Sequence, residues 1–69
     1  MTMTPVNSSC VNSIGYDEAT QELRVEFREG EVYSYPNTSK MLYEELMKSP
    51  SKGQFLNKYF VTSVFKKIS

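Results

Sequence analysis

Three groups of residues in this chain have the types and spacing to do chemistry, and all of them suit an anion or a flat ring. Ser51-Lys52-Gly53 stands where a helix opens. Free amides and the positive dipole end of a helix start attract phosphate, and glycine there permits close approach while Lys52 adds a point charge. Lys58, Lys66 and Lys67 follow in sequence and can extend the attraction as a basic strip. Tyr33-Ser34-Tyr35 sets two rings two residues apart, so on a strand both project from one face, as a core floor or as a stacking platform. Rings beside a basic strip are how single-stranded RNA is gripped. Tyr35 is the candidate stacking ring, with Tyr33 and Tyr59 behind it. Each group also has a structural explanation: Ser51 and Gln54 can cap the helix, the lysines can be a solvated edge, and the tyrosines can be core.

Catalysis has little to build on. The chain has no His and no Trp, and Cys10 is its single cysteine. Without His the commonest general base and the commonest metal ligand are missing together, and no base is legible beside Cys10 to make it a nucleophile. No internal disulfide, thiolate cluster, metal-ligand spacing or glycine-rich phosphate loop can be assembled. The expectation is a non-enzymatic protein without cofactor or metal. Cys10 is expected in an early strand as a small buried hydrophobe. No basic-then-apolar leader or long apolar run appears, which predicts a soluble, cytoplasmic protein with no membrane partner.

Sixty-nine residues form one small domain, whose core supplies only roughly 3–5 kcal/mol over conformational entropy. Net charge is zero but unevenly spread. Asp17, Glu18, Glu22, Glu26, Glu29 and Glu31 outnumber Arg24 and Arg28 in residues 1–37, and Lys40, Lys48, Lys52, Lys58, Lys66 and Lys67 outnumber Glu44 and Glu45 beyond them. The halves therefore carry −4 and +4 (two basic less six acidic residues, six basic less two acidic), a hint of a basic face for an acidic partner.

Residues 1–7 lack periodicity and include Pro5, which predicts a flexible arm ahead of a single domain over 8–69. Ser9 to Tyr16 reads as a first strand with Cys10, Ile14 and Tyr16 on one face, followed by a polar turn in which Asp17 can bond backbone groups further on. Leu23 to Arg28 alternates apolar and polar, the clearest strand of the chain, with Leu23, Val25 and Phe27 inward.

The next turn decides where the tyrosines point. A two-residue Glu29-Gly30 loop demands positive φ at Glu29 and would put them in solvent beside Glu26 and Arg24. A three-residue loop, Arg28-Glu29-Gly30, with Gly30 in the left-handed position fits better. It sets Val25 opposite Tyr33 and Leu23 opposite Tyr35, on the core side, with Val32 and Ser34 outward. One residue of register inverts the result.

Pro36 to Ser39 ends the ladder and offers helix caps. Leu42, Tyr43, Leu46 and Met47 then recur at helical spacing up to Ser49-Pro50. Ser51 to Gln54 reads as a capping box, with Ser51 covering the third helical amide. The second helix carries Phe55, Leu56, Tyr59 and Phe60 as an apolar stripe, and Thr62 to Ile68 reads as a last strand. The fold class is α+β: a small antiparallel meander of three strands, two short helices and a final strand, β-β-β-α-α-β.

Gly15-Tyr16-Asp17, Leu23-x-Val25-x-Phe27, Gly30, Tyr33-Ser34-Tyr35 and Ser51-x-Gly53-x-Phe55-Leu56-Asn57 follow the order and spacing of the KTSC domain, which the chain resembles over about residues 8–68. That domain takes its name from the C-terminus of some lysyl-tRNA synthetases and also occurs alone in short bacterial and phage-type proteins. The resemblance implies RNA binding by association with the synthetase. Taken with the residues, it gives an expected small binding domain for RNA or other single-stranded nucleic acid, using Ser51, Lys52, Gly53, Lys58, Lys66, Lys67 and Tyr35. The alternative is a protein-interaction module, in which an exposed sheet edge, with Val32, Phe65 and Ile68 near it, accepts a partner strand or a second copy.

Overall fold

At the tip of the central hairpin, Phe27 N–H donates to Glu31 O at 2.8 Å and Gly30 N–H donates to Phe27 O at 2.9 Å. Gly30 has φ of +99°, which strains any L side chain. This is the three-residue loop expected from the sequence, and it fixes the register of β3 (Glu22–Phe27) against β4 (Val32–Tyr35): Val25 faces Tyr33 and Leu23 faces Tyr35. In the computed structural model, which describes residues 1–60 and 66–67, both tyrosines therefore lie on the core side. Tyr35 is buried and Tyr33 is half-buried, with its ring edge-on to Phe27 at 5.5 Å.

Five antiparallel strands lie in sequence order: β1 (Met3–Pro5), β2 (Val11–Asp17), β3, β4 and β5 (Lys66–Lys67). The α+β class is as expected, but the sheet has one strand more. Residues 1–7 are not wholly an arm: Met3, Thr4 and Pro5 pair with Gly15, Ile14 and Ser13, and Val6 N–H continues the ladder to Asn12 O. Glycine at 15 makes room for this. A Cβ there would stand 2.6 Å from Met3 Sδ and 3.0 Å from Met1 Sδ. Of the expected last strand, Lys66 and Lys67 pair with Ser34 and Tyr33; its other positions, Phe65 and Ile68 among them, lie outside the described residues.

A bulge corrects the expected face of Cys10. Val11 pairs with Phe27 but Ser13 pairs with Glu26, so Asn12 is an extra residue in β2. The insertion reverses the alternation ahead of it: Val11 turns into the core at 0% exposure, Ile14 follows, and Cys10 is exposed. Asn12 and Ser13 side chains both donate to Glu26 Oε1, at 3.0 and 2.9 Å, on the outer face of the sheet.

The inner face is covered by α1 (Lys40–Lys48) and α2 (Lys52–Phe60). The core joins Val11, Ile14, Leu23, Val25 and Tyr35 of the sheet to Leu46 of α1 and Leu56 of α2. Ser39 caps α1, its Oγ accepting from Leu42 N–H at 3.2 Å, and the helix ends at Ser49 as the following proline requires. The link into α1 is clamped by side chains: Thr38 Oγ1 donates to Tyr35 O at 3.0 Å, Tyr16 O–H donates to Thr38 O at 2.6 Å, and the Tyr16 ring stacks on Tyr43 at 4.6 Å. Asp17 Oδ1 accepts from Ala19 N–H at 3.0 Å, closing the β2–β3 turn as expected.

Across the outer face, Glu22 Oε2 accepts from Ser34 Oγ at 2.6 Å and Arg24 Nε at 2.9 Å, tying β3 to β4. The Ser34 hydrogen bond, then Arg24, lowers the Glu22 pKa below its ordinary 4.5. A depressed folded-state pKa stabilises the native state above the ordinary value and loses that contribution as pH falls through the folded one. Urea midpoints measured on both sides of pH 4.5 should accordingly fall less steeply on the acid side in Glu22→Gln than in the parent chain. Gly30→Ala should cost about 1–2 kcal/mol in the same assay with an unchanged urea slope. Tyr35→Ala should cost about 3–5 kcal/mol, the whole margin of a domain this size, and leave no cooperative transition.

Candidate functional site

A groove of about 860 Å³ lies at the hairpin end of the core. Its floor is apolar: Phe27, Tyr33 and Tyr35 from the sheet and Leu56 from α2. One wall is the Ser8–Cys10 segment leading into β2, and the other is the N-terminal half of α2, with Ser51, Gly53, Gln54 and Asn57. Arg28, Glu29 and Glu31 close the hairpin end. The Ser8–Cys10 wall is held by hydrogen bonds to the strand entry and to Arg28. Ser8 Oγ accepts from Cys10 and Val11 N–H at 3.2 Å each, Arg28 N–H donates to Cys10 O at 2.9 Å, and Arg28 Nε donates to Ser8 O at 2.6 Å. A Cβ at Gly53 would stand 3.4 Å from Cys10 Sγ, so α2 approaches the opposite wall closely at its first turn.

The expected site residues divide. Ser51, Gly53 and Tyr35 share this groove. Lys52 does not join them: its ammonium donates to Met47 O at 3.1 Å and Ser49 O at 2.8 Å, covering carbonyls at the C-terminal end of α1. That is the favourable place for a cation on a helix dipole. The expected capping box is also replaced. Ser49 Oγ accepts from Ser51 N–H at 3.2 Å and donates to Ser51 O at 3.0 Å, while Phe55 N–H donates to Ser51 O at 3.0 Å. The α1–α2 joint is thus closed by Ser49 and Lys52 together.

Lys58 lies nearly two turns further along α2, its Nζ 5.4 Å from the centroid of the Tyr59 ring. The expected apolar stripe of α2 splits here: Leu56 is buried, Phe55 packs at the core margin, and Tyr59 is 47% exposed. Phe55 and Tyr59 rings meet at 4.4 Å. A shallow recess holds Ser49, Pro50, Ser51, Gln54, Phe55, Lys58 and Tyr59, so Ser51 and Gln54 form the ridge it shares with the groove. Lys66 and Lys67 are placed by backbone pairing beside Ser34 and Tyr33. Sequence reasoning passed over the Ser8–Cys10 wall and Asn57; the bulge that exposes the first has no signal in local alternation, and Asn57 stood in view only as part of a motif.

No cluster of metal-ligating side chains occurs among the described residues, and no described helix is long and apolar enough to cross a membrane.

The KTSC domain profile matches residues 7–63. The chain is 40% identical over 58 residues to lysine–tRNA ligase of Nostoc punctiforme, a match covering 84% of this chain and 10% of that protein. It is thus similar to about a tenth of the ligase's length. It is also 36% identical over 55 residues to a Tsukamurella paurometabola protein, covering 80% of this chain and 82% of that one. Among solved structures, the crystal structure of a KTSC domain protein from Yersinia pestis superposes with a TM-score of 0.92 at 33% identity, covering 99% of this chain and 97% of that one.

The position of Lys52 makes a direct test. Lys52→Ala should lower stability by about 0.5–1 kcal/mol by uncovering helix-end carbonyls, and Lys52→Glu should lower it further by setting a carboxylate against them. Thermal melts of both variants check this, and unchanged midpoints would mean that the two hydrogen bonds add nothing net.

Proposed function

The chain belongs to the KTSC domain family, and from that premise we propose that it is a binding domain without catalytic activity that holds single-stranded nucleic acid, RNA foremost, along α2. The observation that carries the reading is the Phe55–Tyr59–Lys58 arrangement: a half-exposed ring supported from behind by a second ring, with an ammonium 5.4 Å from its centroid. A base can stack on such a ring whatever its identity, because every base has a π-face, while the lysine attracts the adjoining phosphate. Tyr59 therefore replaces Tyr35 as the stacking ring, since Tyr35 is only 6% exposed. The phosphate contact passes from Lys52 to Lys58, with Lys66 and Lys67 adding non-specific attraction. Similarity to a segment of lysine–tRNA ligases agrees with an RNA partner.

The alternative, strand addition at a sheet edge near Val32, finds β4 already paired at Tyr33 and Ser34 by Lys67 and Lys66, with Phe65 and Ile68 outside the described residues; the opposite edge is β1. Its outer edge offers three residues, one of them Pro5 without an N–H, so few hydrogen bonds are available to a partner strand.

Fluorescence anisotropy with a labelled mixed-sequence single-stranded RNA tests the proposal. Affinity should fall with salt at a slope near −0.7 per phosphate neutralised. Tyr59→Ala should weaken it by about 1–3 kcal/mol, roughly five- to a hundredfold, and Lys58→Ala should reduce the salt slope by about one such step. Binding that is absent at low salt, or indifferent to Tyr59, would overturn it.

A further inference from the structure

We infer that the groove between the Ser8–Cys10 wall and α2 receives one unstacked base of the bound strand, and that Gln54 and Asn57 read its edge. The inference rests on the nucleic-acid reading and adds to it a second site of different character. On α2 the half-exposed Tyr59 ring offers a stacking surface; the groove offers a floor and walls.

Size, polarity and charge each narrow the occupant. A volume of about 860 Å³ falls within the range of roughly 300–1,000 Å³ typical of small-molecule sites, large enough for a nucleoside. The floor of Phe27, Tyr33, Tyr35 and Leu56 favours a flat ring over a hydrated head group. The walls are neutral and hydrogen-bonding: hydroxyls of Ser8, Ser9 and Ser51, and the exposed amides of Gln54 and Asn57. A side-chain amide carries donors and an acceptor on one plane, which is the pattern that base edges present. Among the described residues the hairpin end of the lining holds Arg28, Glu29 and Glu31, and Arg28 Nε already donates to Ser8 O at 2.6 Å. A guanidinium so engaged is a poor phosphate ligand, so the occupant is an uncharged ring whose phosphate stays outside.

Continuity with the stacking face supplies the route. Ser51 and Gln54 line both the groove and the recess of Lys58 and Tyr59. A strand with one base on Tyr59 can therefore cross that ridge and drop its neighbour into the groove. Unstacked bases held on aromatic floors and read along their edges are the usual basis of sequence preference in single-stranded RNA recognition.

The test uses ribonucleosides, which lack phosphate and so bypass the electrostatic part of strand binding. Adenosine, guanosine, cytidine and uridine are titrated separately into isotopically labelled protein, with N-acetyltyrosinamide as a flat-ring control. Saturable shifts of the Gly53, Gln54 and Asn57 amides are expected, with one nucleoside at least fivefold tighter than the weakest. Asn57→Ala and Gln54→Ala, at exposed positions, should keep a folded spectrum and lose that preference. Absence of groove shifts with all four nucleosides overturns the inference even if RNA binds at Tyr59. Equal occupancy by the tyrosine analogue overturns the assignment to a base. Groove shifts without any salt-dependent RNA binding would retain the nucleoside site and overturn the strand reading instead.

Discussion

The left-handed backbone at Gly30 is the constraint on which the rest of the structure depends. With φ of +99° there, the loop takes three residues, Phe27 closes on Glu31, and every later side chain of β4 is assigned to a face. Because side-chain direction alternates with a period of two, a loop shorter by one residue would exchange Tyr33 and Tyr35 for Val32 and Ser34. The core would then lose its buried tyrosine, and the outer face would lose the Ser34 hydroxyl that Glu22 accepts. The groove floor depends on the same turn, since Tyr33 and Tyr35 join Phe27 on it only in this register.

A second backbone irregularity builds what the turn does not. The extra residue at Asn12 brings Val11 into the core and expels Cys10 and the serines ahead of it to form a wall. Strand β1 covers the far side of β2 over Gly15, where a side chain would collide with Met3. The bulge thus lets one strand serve the core along its length and the groove at its beginning.

Legibility in the sequence followed locality. The alternation of Leu23, Val25 and Phe27, the glycine of the turn, the caps before α1 and the proline after it act within a few residues, and the fold read from them holds. Three features did not show because their causes are distant in sequence. Pairing of Met3–Pro5 needs β2 already in place. The bulge at Asn12 is defined only against Glu26 and Phe27 of β3. Lys52 looked like a phosphate ligand because Ser-Lys-Gly at a helix start is locally suited to one; its actual partners are carbonyls of the preceding helix. The candidate site was legible as residue types, and Ser51, Gly53 and Tyr35 were brought together, but which cation faces solvent is decided by the α1–α2 joint.

That joint is what separates attraction from recognition in the proposed reading. A core this small cannot leave many helix-end carbonyls uncovered, and Lys52 satisfies two of them at once. An ammonium so engaged is a poor phosphate ligand, because binding an anion would release the carbonyls it covers. The charge available for a ligand on α2 therefore moves on to Lys58, beside the ring of Tyr59. The groove on the other side of Ser51 and Gln54 keeps hydroxyls, amides and aromatic floor, and its Arg28 is already engaged with Ser8 O. In the proposed reading, long-range attraction resides on one side of the ridge and shape on the other, and a ligand that uses both is a chain with charge on its backbone and flat neutral groups as its side units.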